Sequence, residues 1–302
     1  MSRIITMMVV FFLVACSEQE SASKSVPPAH EDASSALSDH GIPLSAPNKK
    51  AANLYIEISN LADSGDFIEA NQHARKLCDE SPDWSGAWIA LANSAQSGEQ
   101  FAKASKKASE LSHDGTLGER LWAEINMGFV TNDTQASLRT GKKLLESYPG
   151  SARAALVLSG IYAGQNQIEQ AREAGEKAIT LASDWLPAQT NLGFSYLYNE
   201  PKDYHKAEDY FKQAIALAPQ GDNLWVNIGD VHRAAGKLEK AESSYSQALE
   251  LDAGNAIAAV KRAHVNSFLG HYDSARADYD MGIAVSKEGN RATLPVYRSS
   301  SP

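Results

Sequence analysis

From Ala51 onward the chain repeats itself about every 34 residues, and this period limits its possible folds more than any other feature. Blocks begin at Ala51, Ser85, Glu119, Ala152, Leu186, Asp222 and Ala256; the third lacks one residue and the fifth carries two extra. Position 20 holds Ala70, Ala104, Ala171, Ala207, Ala241 and Ala275, with Ser137 in the third block. Position 27 holds Leu77, Leu111, Leu145, Ala178, Ala214, Ala248 and Gly282. Position 4 holds Trp88, Trp122 and Trp225. Small residues at fixed positions let two antiparallel helices approach closely, while large ones at positions 4, 7, 11 and 24 fill the space between them. Block six shows the pattern in full: Trp225, Ile228, Gly229, His232, Gly236, Ala241, Tyr245, Ala248. Gly236 falls in the turn between the two helices, where a positive φ is needed. Pro82, Pro149 and Pro219 close three blocks, just past a helix end.

These residues resemble the tetratricopeptide repeat, whose pattern is W-x2-L-G-x2-Y, then Ala at position 20, an aromatic at 24, Ala at 27 and Pro near 32. The resemblance covers residues 51–289 and is weakest in block three. It implies an all-α fold: a right-handed α-solenoid of about seven helical hairpins, with the first helices lining a concave groove. Block five departs from the pattern with a longer turn, Asn199-Glu200-Pro201-Lys202. Block seven departs with Arg262 at position 7 and Asn266 at position 11, where apolar residues are usual. A final repeat is normally followed by a helix that covers its open face. Only residues 290–302 remain for that purpose, with Pro295 in their middle, and they read as a disordered tail. The cap is missing, supplied by a partner, or not included in this chain.

The N-terminus carries a different signal. Arg3 is followed by an almost wholly apolar run from Ile4 to Val14, then Ala15-Cys16. Eleven such residues match a signal-peptide core and fall short of the roughly 20 needed to span a membrane. The run resembles the bacterial lipoprotein signal, which implies cleavage after residue 15 and lipidation of Cys16. Ser17 in place of Asp implies the outer membrane. Acyl chains contribute about 0.8 kcal/mol per buried methylene, so two or three anchor firmly. Residues 16–50 are rich in small and polar residues and prolines without a helical period, and read as a disordered tether. A flexible chain of this length spans on the order of 30 Å. Once Cys16 is modified, Cys78 is the sole remaining cysteine and no internal disulfide is available; a thiol inside a helix reads as a small core hydrophobe.

No catalytic spacing stands out. The eight histidines are scattered, and His264 and His271 lack a third ligand to complete a metal site. There is no Gly-rich phosphate loop, no Gly-x-Ser-x-Gly and no Cys-x2-Cys. The reading is a non-enzyme without a cofactor. A net charge of -9 gives no global attraction for nucleic acid.

The resemblance instead directs attention to the groove, which in this family is faced by positions 2, 5, 6, 9 and 12 of each first helix. In blocks five to seven these positions nominate Thr190, Asn191 and Phe194, then Asn223, Asn227, Asp230 and Arg233, then Lys261 and His264. A side-chain amide both donates and accepts, so Asn191 and Asn227 are suited to holding an extended peptide backbone. Phe194 would supply apolar area, and Asp230, Arg233 and Lys261 would set a charge preference. The carboxylate clamp of the chaperone-binding branch is matched at only two of its five positions, by Asn227 and Lys261. The expected function is a lipid-anchored adaptor in the bacterial envelope that binds a protein or peptide segment. The alternatives are an accessory subunit of an envelope enzyme and an assembly factor for pili or secretion.

Overall fold

The computed structural model describes residues 38–288. The run read as a signal peptide, Cys16 and the residues from 289 onward lie outside the described residues. No helix among those described is long and apolar enough to cross a membrane. The chain forms two compact units, one ending at Ser183 and the other starting at Asp184.

The first unit holds eight helices: α1 Lys49–Ser64, α2 Phe67–Glu80, α3 Ser85–Asn93, α4 Gly98–Leu111, α5 Leu117–Val130, α6 Thr134–Ser147, α7 Ala152–Gly164 and α8 Ile168–Leu181. The second holds six: α9 Leu186–Tyr198, α10 Tyr204–Leu217, α11 Asp222–Ala234, α12 Leu238–Leu251, α13 Ala256–Leu269 and α14 Tyr272–Glu288. Within each unit consecutive helices pair as hairpins, and the second helix of one hairpin packs on the first of the next. This nearest-neighbour stacking is that of an all-α solenoid.

The repeat positions are where the hairpins close. Ala70, Ala207 and Ala241 at position 20 and Leu77, Ala178, Ala214 and Ala248 at position 27 are completely buried. The glycines at position 8 face the aromatics at position 24. A Cβ on Gly193 would lie 2.8 Å from the Phe211 ring, and one on Gly229 would lie 2.4 Å from the Tyr245 ring. Gly236 takes φ +73° in its turn, as its position requires. Ser137 replaces alanine without cost because its hydroxyl donates to the Ile125 carbonyl at 3.1 Å. One assignment shifts: the completely buried residue of block three is Leu144 and not Leu145. The missing residue of that block moves the register back by one.

The two departures in block seven belong together. Arg262 on α13 grips Asp278 on α14 through two bonds, Nε to Oδ2 at 2.9 Å and a terminal nitrogen to Oδ1 at 2.6 Å. Its remaining terminal nitrogen donates to Ser246 at 2.9 Å. The Asn266 amide adds a weaker bond to Asp278 at 3.3 Å. A satisfied polar network has replaced apolar packing here. Cys78 is buried, its thiol donates to the Ala87 carbonyl at 3.3 Å, and burial pushes its pKa up to about 12, with Asp79 adding to the shift. It is a core residue, not a reactive one.

The expected tether requires a correction at its C-terminal end. Residues 38–48 lie within the span read as disordered, yet they form two short antiparallel strands, β1 Ser38–Asp39 and β2 Ile42–Pro43, followed by an extended stretch. Ile42 is only 2% exposed and joins the core cluster formed by residues of α3 to α7. Asn48 caps α1 by accepting from the Ala51 amide at 2.9 Å. Composition resembles that of a linker here because most of the contacts are made by backbone atoms.

Candidate functional site

In the first unit, the faces that the family resemblance assigns to a groove are partly covered. Arg153 of α7 makes a bidentate pair with Asp63 of α1, both bonds at 2.7 Å, joining the first and fourth hairpins. Ile89 and Ala123, on first helices, are buried at 1% exposure in the cluster that contains Ile42. In the second unit, the first-helix faces of α9, α11 and α13 keep exposed or half-buried polar and aromatic groups.

The centre of that face is Asp230 on α11, only 4% exposed. Its carboxylate accepts from the Tyr245 hydroxyl at 2.8 Å and from the Lys261 ammonium, and Arg233 stands at 3.5 Å. The family positions assign Asp230 a role in choosing partners. The structure corrects this: Asp230 is the internal counter-ion that ties α11 to α12 and α13. Burial raises the Tyr245 phenol far above its ordinary range, and the Asp230 charge acts in the same direction.

Around this knot the nominated residues divide. Thr190 is committed to its own helix, where its hydroxyl reaches the carbonyls of Leu186 at 3.3 Å and Pro187 at 3.2 Å. Asn223 accepts from Asn255 at 3.4 Å at the start of α11. Phe194 is half-buried, edge-on to Phe211 with centroids 5.1 Å apart and stacked on Tyr198 at 6.1 Å. Asn191 and Asn227 are both half-buried on the same face. Arg233 keeps a side chain 47% exposed while Lys261 spends its charge on Asp230. His264 packs edge-on to Tyr279 at 5.6 Å, and desolvation, reinforced by the Arg233 charge, lowers its pKa and keeps it neutral at neutral pH.

Sequence reasoning overlooked Tyr198 at position 13. It is 46% exposed, and burial of its hydroxyl together with the nearby Asp230 charge pushes its pKa up to about 12. The signal for it was the aromatic spacing Phe194–Tyr198, which places both rings on one face of α9. His232, expected in the core, is 8% exposed. Its Nδ1 lies 3.0 Å from the Ser244 hydroxyl, and its Nε2 lies 3.6 Å from Glu208.

Two cations, Arg233 and Lys261, share the Asp230 carboxylate, and the half-exposed Arg233 stands near Tyr198 of the aromatic pair. This surface offers backbone-binding polarity, aromatic area and one positive charge.

The tetratricopeptide-repeat family model matches residues 202–256, which run from the turn before α10 to the start of α13. The chain is similar to anaphase-promoting complex subunit 3 of Schizosaccharomyces pombe, 26% identical over 113 residues, covering 37% of this chain and 17% of that one. It is also similar to the cell division cycle protein 16 homolog of Mus musculus, 26% identical over 202 residues, covering 60% of this chain and 31% of that one. The chain thus spans less than a third of the length of these relatives. Among solved structures, a crystal structure of the APC/C hetero-tetramer Cut9-Hcn1 matches with a TM-score of 0.55 at 16% identity, covering 78% of this chain and 46% of that one, and shares the fold.

Proposed function

This chain is a tetratricopeptide-repeat protein, and from that premise we propose that it is a non-enzymatic adaptor that holds a protein segment on the first-helix face of α9, α11 and α13. The observation that carries this reading is the half-exposed Arg233 near Tyr198, on a face where Arg233 and Lys261 share the single carboxylate of Asp230. An extended segment with an acidic side chain opposite Arg233 complements it. Asn227 serves the segment's backbone, and Phe194 and Tyr198 serve an apolar side chain.

The test is photo-cross-linking from Phe194 in cells, followed by binding measurements with the captured partner. Asn227→Ala with Arg233→Gln is expected to leave the helical circular dichroism intact, because glutamine adds no charge beside Asp230. It is expected to weaken binding by about 1–3 kcal/mol through unpaired peptide groups and loss of the positive charge. Lys212→Ala, on the second helix α10, serves as the control and leaves binding unchanged. Equal binding by the double variant and the wild type removes this site from the account.

The same reading places the adaptor in the bacterial envelope, anchored through Cys16 and facing the periplasm from the outer membrane. Its support is the apolar run Ile4–Val14 ending at Ala15-Cys16. Cys16→Ala is expected to abolish lipidation and move the protein out of the membrane fraction, either as soluble material or as uncleaved precursor. Identical fractionation of variant and wild type overturns the anchor.

A further inference from the structure

The first unit carries a contact that the adaptor reading does not use. Residues 40–45 run across the N-terminal ends of two first helices, α5 and α7. The His40 carbonyl accepts from the Ser151 hydroxyl, which also caps α7, at 2.7 Å. The Pro43 carbonyl accepts from Thr116, the N-cap of α5, at 2.9 Å. The Ser45 amide donates to Glu119 Oε1 at 3.0 Å, and the Ser45 hydroxyl donates to Glu119 Oε2. Glu119 is 2% exposed and also accepts from the Trp84 indole and the Thr116 amide, each at 2.9 Å. Ile42 seats over Gly118, where a Cβ would come within 2.4 Å of it.

Three of these four strap bonds use main-chain atoms of residues 40–45, so they place no demand on side-chain identity. Sequence is read at three points only. Ile42 fills an apolar seat, and the Ser45 hydroxyl meets the Glu119 carboxylate. Gly41, at φ +93°, lies so close to Ser151 that a Cβ would approach its Cα to 3.0 Å. The receiving groups sit at the starts of α5 and α7 or just before them, and the strap precedes every helix of the unit. Removing it therefore breaks no helix, but it uncovers an apolar seat and a carboxylate that has lost two of its four donors.

We propose that this strip is a binding site for an extended peptide segment of the form Gly-aliphatic-x-x-Ser, held occupied in cis by residues 40–45. The site is independent of the face on α9, α11 and α13. Its occupant in trans is a segment of another protein chain with the same pattern, admitted when the strap is displaced.

The probe is a fluorescein-labelled synthetic peptide with the sequence of residues 38–47, titrated against the full-length chain and monitored by fluorescence anisotropy. Ile42→Asp in the protein dislodges the strap by placing a charge in the apolar seat. The peptide is expected to bind this variant at least tenfold more tightly than the wild type, while a peptide carrying the same Ile→Asp change binds neither. Equal affinity for variant and wild type, or no binding to a variant that retains its helical circular dichroism, overturns the proposal. If Ile42→Asp loses its helical signal, Gly41→Val decides by the same comparison, because it strains the strap while leaving the apolar seat intact. A Gly41→Val protein that binds the peptide no better than wild type also overturns it.

Discussion

Phe211→Ala is expected to destabilise the second unit by about 3–5 kcal/mol, the usual cost of emptying a fully buried phenylalanine site. The ring is completely buried at position 24 of its hairpin, against Gly193 and edge-on to Phe194. No side chain on the glycine can move into the cavity, so the neighbourhood collapses poorly and the cost lies toward the upper end of that range. Urea unfolding monitored by circular dichroism reads the loss, and hydrogen exchange locates it. Exchange should rise first in α9 and α10 and next in α11, because each hairpin contacts its neighbours only. Uniform loss of protection in both units, or an unchanged midpoint, would contradict hairpin-by-hairpin stability.

The second large effect concerns the carboxylate beneath the candidate face. Asp230→Ala leaves the Tyr245 hydroxyl buried without its acceptor and the Lys261 ammonium without its counter-ion. Breaking a buried pair from one side costs about 3–5 kcal/mol, and the partial exposure of Lys261, at 30%, reduces the expectation to about 2–3 kcal/mol. Tyr245→Phe removes the donor but keeps the ring, at a cost of about 0.5–1.5 kcal/mol. A double-mutant cycle should show the two changes to be strongly non-additive. The cycle also separates structure from recognition. If Asp230→Ala weakens partner binding but leaves the unfolding midpoint unchanged, the carboxylate is a partner contact and its assignment as an internal counter-ion fails.

The same separation governs how the site looked in the sequence. The family positions brought Asn191, Phe194, Asn227, Arg233, Lys261 and His264 onto neighbouring first helices, and the structure keeps them on one surface. Those positions could not distinguish Arg233, which stays half-exposed, from Asp230, whose charge is consumed. The distinction depends on Tyr245 and Lys261, which lie 15 and 31 residues further along the chain. Tyr198 escaped notice because it sits one position past the expected face, at the end of α9.

What the sequence alone determined is the repeat. The alanines at position 20, the small or aliphatic residues at position 27, the facing aromatics and the turn glycine are all set within a single 34-residue block, since a helical hairpin buries its interface against itself. A local pattern of that kind can be read without knowing where any other block lies. What only the tertiary structure decided is each contact that crosses blocks. Arg153 meets Asp63 across 90 residues, Ser45 meets Glu119 across 74, and a stretch with the composition of a tether becomes a strap. Even Arg262 and Asn266, which look like faults in the pattern of block seven, are explained only by Asp278 on the facing helix. Periodicity records which side of a helix is buried, but the partner of a polar group is fixed by three-dimensional proximity, and a charge or a backbone carbonyl carries no period that would reveal it.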